Sequence, residues 1–142
     1  MKFAVLLLAL SLLSVGTANA QTILFPDDLR IVKQGKALYD LHCAACHGAN
    51  LEGQPNWKQR RADGKLPAPP QDESGHTWHH PELQLFDITK YGPQKFAGPN
   101  YKTDMPAFDG ILTDDEIIAV LSYIKSTWSD EIRAHNTAMC GG

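Results

Sequence analysis

The sequence predicts an all-α fold in which three main helices are joined by two long loops. Helical spacing of apolar residues recurs before residue 43, after Pro81 and after Thr113. Hardly any segment alternates between apolar and polar residues in the way that a half-buried strand does. Because three helices of this size bury only a thin core, the loops need a further apolar object to wrap.

The first twenty residues have the pattern of a secretory signal. Lys2 precedes a short apolar run, and Ala18-Asn19-Ala20 forms a small-residue cleavage site. The run is shorter than the roughly 20 residues of a membrane-spanning helix, and an uncleaved anchor is the alternative interpretation. We therefore predict a periplasmic or otherwise exported protein. Its predicted parts are a signal peptide at 1–20, a domain at 21–128 and a polar, flexible tail at 129–142.

The charge balance argues against a nucleic-acid binder. The chain has 142 residues, with 13 Lys and Arg against 16 Asp and Glu. Removal of Lys2 with the signal leaves 12 basic residues and a net charge of −4. Binding to nucleic acid or to an anionic membrane needs clustered positive charge. One local cluster is predicted to be a solvated loop that can steer an acidic partner: Lys58, Arg60, Arg61 and Lys65.

The first helix is predicted between Leu29 and His42, with Asp27 or Asp28 as its N-terminal cap. One face of this helix carries Ile31, Gly35, Leu38, Tyr39 and His42. The helical pattern stops after Gly48, because prolines and glycines interrupt the next thirty or so residues. So long an irregular stretch fits a compact domain if the loop wraps an object that supplies the missing core.

Two further helices are predicted in the second half of the chain. Pro81 fits the first turn of a short helix that ends near Gly92. Its predicted apolar positions are Leu83, Phe86 and Ile88. Thr113 and Glu116 have the spacing of a capping box at the start of the last helix. Apolar residues then follow at helical spacing: Ile117, Leu121, Ile124 and Trp128.

Two cysteines and a histidine stand together at Cys43, Cys46 and His47. A disulfide is compatible with an oxidising compartment. A redox dithiol would need strand–helix alternation around it, and a zinc site would need a second ligand pair. The C-x-x-C-H spacing is the attachment signature of c-type haem, in which the thiols bind the vinyl groups and the histidine binds iron. We predict one covalently attached haem c, which also supplies the missing apolar core.

The sixth iron ligand distinguishes an electron carrier from a reactive haem. Ligation by His and Met leaves the iron without an open coordination position, and the thioether raises its reduction potential. Met1 leaves with the signal, and Met139 lies in the predicted tail. Met105 is followed by proline in the second loop, 58 residues after His47, and we predict it as the axial ligand opposite His47.

Three histidines compete with this assignment, in the segment that contains His76, His79 and His80. A second axial histidine would lower the potential, and three nearby imidazoles would suit a weak transition-metal site. We favour a polar loop in which the imidazoles lie at the surface. Trp78 is then packed inward and is a candidate residue of the haem pocket.

These motifs resemble the class I cytochromes c, the single-haem, soluble bacterial type. The segment "GKALYDLHCAACHG" matches the family's first helix, and "DMPAF" resembles its methionine loop. The resemblance covers most of the chain from residue 31 to residue 128. It implies the cytochrome c fold, in which the first and last helices cross closely. The matching positions at that crossing are Gly35, Tyr39, Val120 and Tyr123.

The resemblance also implies a partner for the ligand histidine. The segment "LPAPP" resembles the loop in which a proline carbonyl accepts a hydrogen bond from that imidazole. Pro69 or Pro70 would take this role in the haem pocket. The histidine-rich segment and the C-terminal residues around Cys140 are not explained by the family pattern.

The sequence thus predicts a single-electron carrier that is not an enzyme. Its partners would be redox proteins, such as a dehydrogenase, an oxidase or another cytochrome, met in small and weak encounters. A haem sensor or small-molecule enzyme with a labile sixth ligand is one alternative. A metal-handling factor that uses the histidine segment, or His135, Met139 and Cys140, is another. Cys140 is the odd cysteine, so the expected monomer has a disulfide dimer as its alternative.

Overall fold

The structure is a computed structural model and describes residues 22–141; the signal segment predicted at 1–20 lies outside this range. Within it, no β-strand is present apart from one isolated bridge between Asp109 and Leu112, so the predicted all-α class is confirmed. No helix in this part of the chain is long and apolar enough to cross a membrane. The α-helices are α1 (Leu29–His42), α2 (Ala44–His47), α3 (Glu82–Tyr91), α4 (Gln94–Ala97), α5 (Asp114–Ser126) and α6 (Asp130–Ala138).

Helices α1 and α5 each begin directly after a residue whose side chain caps the helix. Of the two predicted caps for α1, Asp28 is the one used, and its carboxylate accepts the N–H groups of Arg30 and Ile31. The predicted capping box of α5 is present, because Thr113 and Glu116 each accept the other's backbone N–H. These caps fix the start of the two helices that form the core.

The core lies where α1 crosses α5. The close approach depends on Gly35, since a Cβ atom there would collide with the carbonyl oxygen of Ala119 and lie 3.0 Å from the Cβ of Tyr123. Tyr39 is fully buried, and its ring meets that of Tyr123 edge to face with centroids 5.4 Å apart. Val120 is also buried. The crossing therefore has the geometry that the family resemblance implied.

Helix α3 differs from its predicted pattern. Its buried residues are Glu82, Leu85 and Thr89, whereas Leu83 is 55% exposed. Phe86 and Ile88 are half-buried as predicted, and Phe86 packs against the core, so only Leu83 is wrong. Its place on the buried face is taken by polar side chains, which the apolar pattern does not reveal. Glu82 is fully buried, and Lys125 of α5 donates to its carboxylate at 2.5 Å.

The C-terminal segment, predicted to be a flexible tail, instead contains helix α6. Its one fully buried residue is Asn136, whose amide donates to the carbonyl oxygens of Trp78 at 3.1 Å and His80 at 2.8 Å. Lys125 also donates to Thr137 of this helix at 2.9 Å. A packed helix is usually recognised by an apolar stripe. Helix α6 could not be recognised in this way, because polar side chains make these contacts.

Candidate haem site

Cys43 lies between α1 and α2, and Cys46 and His47 lie within the short helix α2. Cys43 ends α1 by donating its backbone N–H to the Tyr39 carbonyl at 2.8 Å. Its own carbonyl accepts from the N–H groups of Cys46 and His47 at 3.1 and 2.9 Å. These bonds make α2 a single turn, which brings the two cysteines and the histidine close together at the end of α1.

Both cysteines are free thiols in the structure, which does not support a disulfide between them. Cys43 is half-buried and Cys46 is exposed. Burial, with a smaller contribution from neighbouring Cys46, raises the pKa of the Cys43 thiol to about 11. The Cys43 thiol therefore stays protonated near neutral pH, unlike the low-pKa thiol of a redox dithiol.

The zinc interpretation finds no support either. Among residues 22–141, no group of three or more His, Cys, Asp or Glu side chains is arranged to hold a metal ion. In the histidine segment, His76 and His79 are exposed and His80 is half-buried. The imidazole of His76 stacks on Trp57, with ring centroids 5.3 Å apart.

The His47 imidazole is held by the loop that follows residue 66. Its Nδ1 atom lies 2.8 Å from the carbonyl oxygen of Pro69. This is the bond that the "LPAPP" resemblance implied, with Pro69 as the acceptor. Pro70 is buried and lies with its backbone against Gly53 and Gly75. Both hydrogen bonds that His47 makes here use Nδ1, which leaves Nε2 as the nitrogen suited to bind a metal.

The protonation of His47 follows from the same surroundings. Burial lowers the pKa of the imidazole, and the hydrogen bond to Pro69 opposes this effect in part. The neutral imidazole is the form that binds a metal. Burial, the larger effect, favours the neutral ring, and the Pro69 carbonyl holds Nδ1 so that Nε2 would be left to bind a metal.

Gln71 was missed by sequence reasoning, because a single glutamine after two prolines gives no functional signal. Its Nε2 atom lies 2.9 Å from His47 Nδ1, and its Oε1 atom accepts from the Thr77 hydroxyl at 2.7 Å. The backbone carbonyl of Gln71 accepts a hydrogen bond from the indole N–H of Trp128 at 2.9 Å. Gln71 thus connects the His47 imidazole to the end of the last core helix.

Met105 lies in the loop between α4 and α5. It is half-buried and packs against the hydrophobic core, and its backbone N–H donates to the Thr103 hydroxyl at 3.0 Å. The preceding residue, Asp104, forms ion pairs with both Arg61 and Lys65. We call these three residues the Asp104 clasp. The clasp joins the loop that contains Met105 to the basic cluster that was predicted to form a solvated loop. Arg61 and Lys65 therefore anchor the Met105 loop in addition to facing solvent.

The electrostatics of the clasp keep Asp104 charged. Lys65 and Arg61 hold the pKa of its carboxyl below the ordinary value of 3.8. The contribution of the clasp is therefore present above pH 3.8 and is lost as the pH falls through the lowered pKa. All three side chains are partly exposed, so salt will weaken these pairs.

Trp78 is half-buried between its own loop and α6. Its indole N–H donates to the Glu73 carbonyl at 3.2 Å, and its ring stacks on His79 with centroids 3.5 Å apart. His135 of α6 meets the same indole edge to face at 5.8 Å. Trp78 packs against the core cluster, as predicted, and its assignment to the haem pocket stays a prediction.

A sequence model described as "Cytochrome c" matches residues 32–128, which contain all the residues of this site. The chain belongs to the cytochrome c family. This confirms the resemblance and identifies an electron-transfer haem protein, since the family's covalently bound haem c uses the C-x-x-C-H motif.

One curated relative is the subunit FixP of the cbb3-type cytochrome c oxidase of Bradyrhizobium diazoefficiens. It is 26% identical over 95 residues, which cover 66% of this chain. The match spans only 29% of that protein's length. No solved structure matches the chain significantly.

The residues present fit covalently bound haem. Cys43 and Cys46 supply two free thiols at the required spacing, and His47 has its Nδ1 atom paired with a carbonyl. The donor set of two thiols and one oriented imidazole on a single turn agrees with the chemistry of the family.

Proposed function

We propose that this cytochrome is a single-electron carrier. One haem is attached through Cys43 and Cys46, with His47 and Met105 as the axial ligands of its iron. The observation that carries the proposal is the 2.8 Å hydrogen bond between His47 Nδ1 and Pro69 O, which orients the imidazole and leaves its Nε2 atom to bind a metal. When bound, the haem supplies a reversible Fe(III)/Fe(II) couple.

The protein's part in this function is to hold both axial ligands with little movement. His47 is fixed on one side by α2 and by the Pro69 carbonyl. On the methionine side, the Asp104 clasp anchors the residue directly before Met105. A carrier whose ligands stay in place in both oxidation states needs no acid–base pair and makes no bond to a substrate.

We further propose that the protein is exported to the periplasm and exchanges electrons with other redox proteins there. The similarity to a subunit of a cytochrome c oxidase favours a terminal oxidase among these partners. We propose a monomeric carrier, since Cys140 is half-buried and its thiol faces the Asn136 carbonyl at 3.6 Å. Electrophoresis of the exported protein without reductant tests this, because a reducible dimer would contradict it.

Replacement of Met105 by alanine tests the axial assignment. We expect the midpoint potential to fall by an amount on the order of 100 mV, because axial ligands set haem potentials over a range of about 0.8 V and the thioether raises them. The ferrous variant should also bind carbon monoxide rapidly. A spectroelectrochemical titration and a carbon monoxide mixing experiment measure both effects.

Met139→Ala is the matched control, since this methionine lies in the turn after α6. Its potential should equal that of the wild type. An unchanged potential in Met105→Ala would contradict the proposed ligand. Rapid carbon monoxide binding by the wild type would favour a sensor or enzyme with a labile sixth ligand.

Asp104→Asn should loosen the methionine loop without unfolding the domain. The urea concentration at which the Met105–iron absorption band disappears should fall, because the variant loses both ion pairs of the clasp. The midpoint of far-ultraviolet circular dichroism should change little, as expected for exposed pairs. Asp63→Asn is the control, since Asp63 faces Arg61 at 3.4 Å but does not adjoin Met105. Equal behaviour of the two variants would contradict a specific role of the clasp.

A further inference from the structure

We infer that Gln71 is a positioning residue that shares the Nδ1–H proton of His47 and thereby lowers the reduction potential of the haem. The inference rests on the proposed function, because it concerns the imidazole as an iron ligand. It starts from an unusual local arrangement, in which one ring nitrogen has two neighbours at hydrogen-bond distance. The Pro69 carbonyl lies at 2.8 Å and the Gln71 amide at 2.9 Å.

The chemistry of imidazole decides which amide atom must face the ring. When Nε2 binds a metal, Nδ1 carries the remaining proton and is a donor. Both of its neighbours must then be acceptors, which requires the amide oxygen of Gln71 to face His47. A half-turn of the amide exchanges oxygen and nitrogen with almost no movement of heavy atoms. The N–H₂ group then faces the Thr77 hydroxyl, which accepts at the same 2.7 Å.

Thr77 makes either orientation of the amide acceptable, because a hydroxyl both donates and accepts. With the amide oxygen toward Thr77, the hydroxyl donates; with the amide nitrogen toward it, the hydroxyl accepts. Thr77 is buried, so a side chain without hydrogen-bonding capacity there would leave the amide unpaired. The pair of Gln71 and Thr77 can therefore adapt to the tautomer of His47.

Gln71 is also held firmly enough to act on the imidazole. Its backbone N–H donates to the Leu51 carbonyl at 2.7 Å, and its own carbonyl accepts from the buried indole of Trp128 at 2.9 Å. Leu51 and Trp128 both belong to the hydrophobic core. These contacts fix the backbone of Gln71, and the buried Thr77 hydroxyl holds its side-chain amide at 2.7 Å.

A second acceptor on Nδ1–H makes the imidazole a stronger electron donor. A more basic ligand stabilises Fe(III) relative to Fe(II), which lowers the potential. Loss of the Gln71 acceptor should therefore raise the potential. The Pro69 carbonyl alone would then hold the proton.

The test is the midpoint potential of the haem-loaded Gln71→Leu and Gln71→Glu variants. Outer-shell partners of metal ligands typically affect metal sites by tenfold or more. We expect Gln71→Leu to shift the reduction equilibrium about tenfold toward Fe(II), an increase of ~59 mV for a one-electron couple. Gln71→Glu should shift it in the opposite direction, because a carboxylate is the stronger acceptor. Opposite shifts would not follow from loosening of the loop.

Gln54→Leu is the matched control, because Gln54 accepts from the Ala68 backbone N–H in the same loop at 3.2 Å. Its potential should stay at the wild-type value. If the Gln71 variants keep the wild-type potential, or if Gln54→Leu shifts it equally, the inference is wrong. Failure of the proposed function would be seen in the wild type itself, which would then lack a reversible one-electron wave and the Met105–iron band. The two failures can therefore be distinguished.

Discussion

Glu82→Gln is expected to lower the free energy of unfolding by about 3–5 kcal/mol, because it leaves the charge of Lys125 buried without its partner. The side chains of Glu82 and Lys125 are 0% and 2% exposed, and they approach to 2.5 Å. The same carboxylate accepts the backbone N–H groups of Ile23 at 2.6 Å and Leu24 at 3.0 Å. One substitution thus weakens the attachment of α3, α5 and the first described residues. Urea unfolding of the haem-loaded protein measures the loss.

The double variant Glu82→Gln with Lys125→Met provides the sharper comparison, because the glutamine oxygen still accepts the N–H groups of Ile23 and Leu24. Removing both charges together should cost much less than Glu82→Gln alone, because no unpaired charge remains buried. Asp40→Asn is the control, since Asp40 pairs with Lys36 at the exposed surface of α1 and should leave the unfolding midpoint unchanged. Equal stability of Glu82→Gln and the wild type would contradict the role given to this buried pair.

Gly35→Ala is expected to destabilise the protein by about 2–3 kcal/mol, the upper range for overpacking of a tight core. Elsewhere in a helix, this substitution stabilises by roughly 0.5–1 kcal/mol. At the crossing of α1 and α5, however, the added Cβ meets the backbone oxygen of Ala119, which cannot move aside as a flexible side chain could. The sign of the change therefore distinguishes close packing from ordinary helix propensity.

Thermal or urea unfolding of the haem-loaded Gly35→Ala variant measures this effect. Gln34→Ala is the control, since Gln34 is the exposed neighbour on the same helix and should change stability by no more than ~0.5 kcal/mol. A Gly35→Ala variant as stable as the wild type would show that the two helices do not depend on this contact.

The parts of the molecule that sequence could predict are those encoded by nearby residues. The haem motif spans five positions, and the capping box of α5 needs only Thr113 and Glu116. The apolar stripe of α5 follows from its helical spacing. The Pro69 contact is more distant, and it was foreseen only because the family resemblance supplied it.

The parts that could not be predicted depend on polar contacts between distant residues. Glu82 and Lys125 are 43 positions apart, and a buried glutamate looks in the sequence like a surface residue. Helix α6 was missed for the same reason, since Asn136 anchors it by hydrogen bonds. Gln71 has no local pattern at all, and its meaning comes only from its distance to His47.

The visible spectrum of the ferric, haem-loaded protein tests the central claim most directly. Ligation of the iron by His47 and Met105 predicts the weak red charge-transfer band of iron–sulfur ligation in the wild type. The band should persist in Met139→Ala and disappear in Met105→Ala. A wild-type spectrum without the band, or one that Met105→Ala leaves unchanged, would contradict the assignment of this protein as a carrier with Met105 as its ligand.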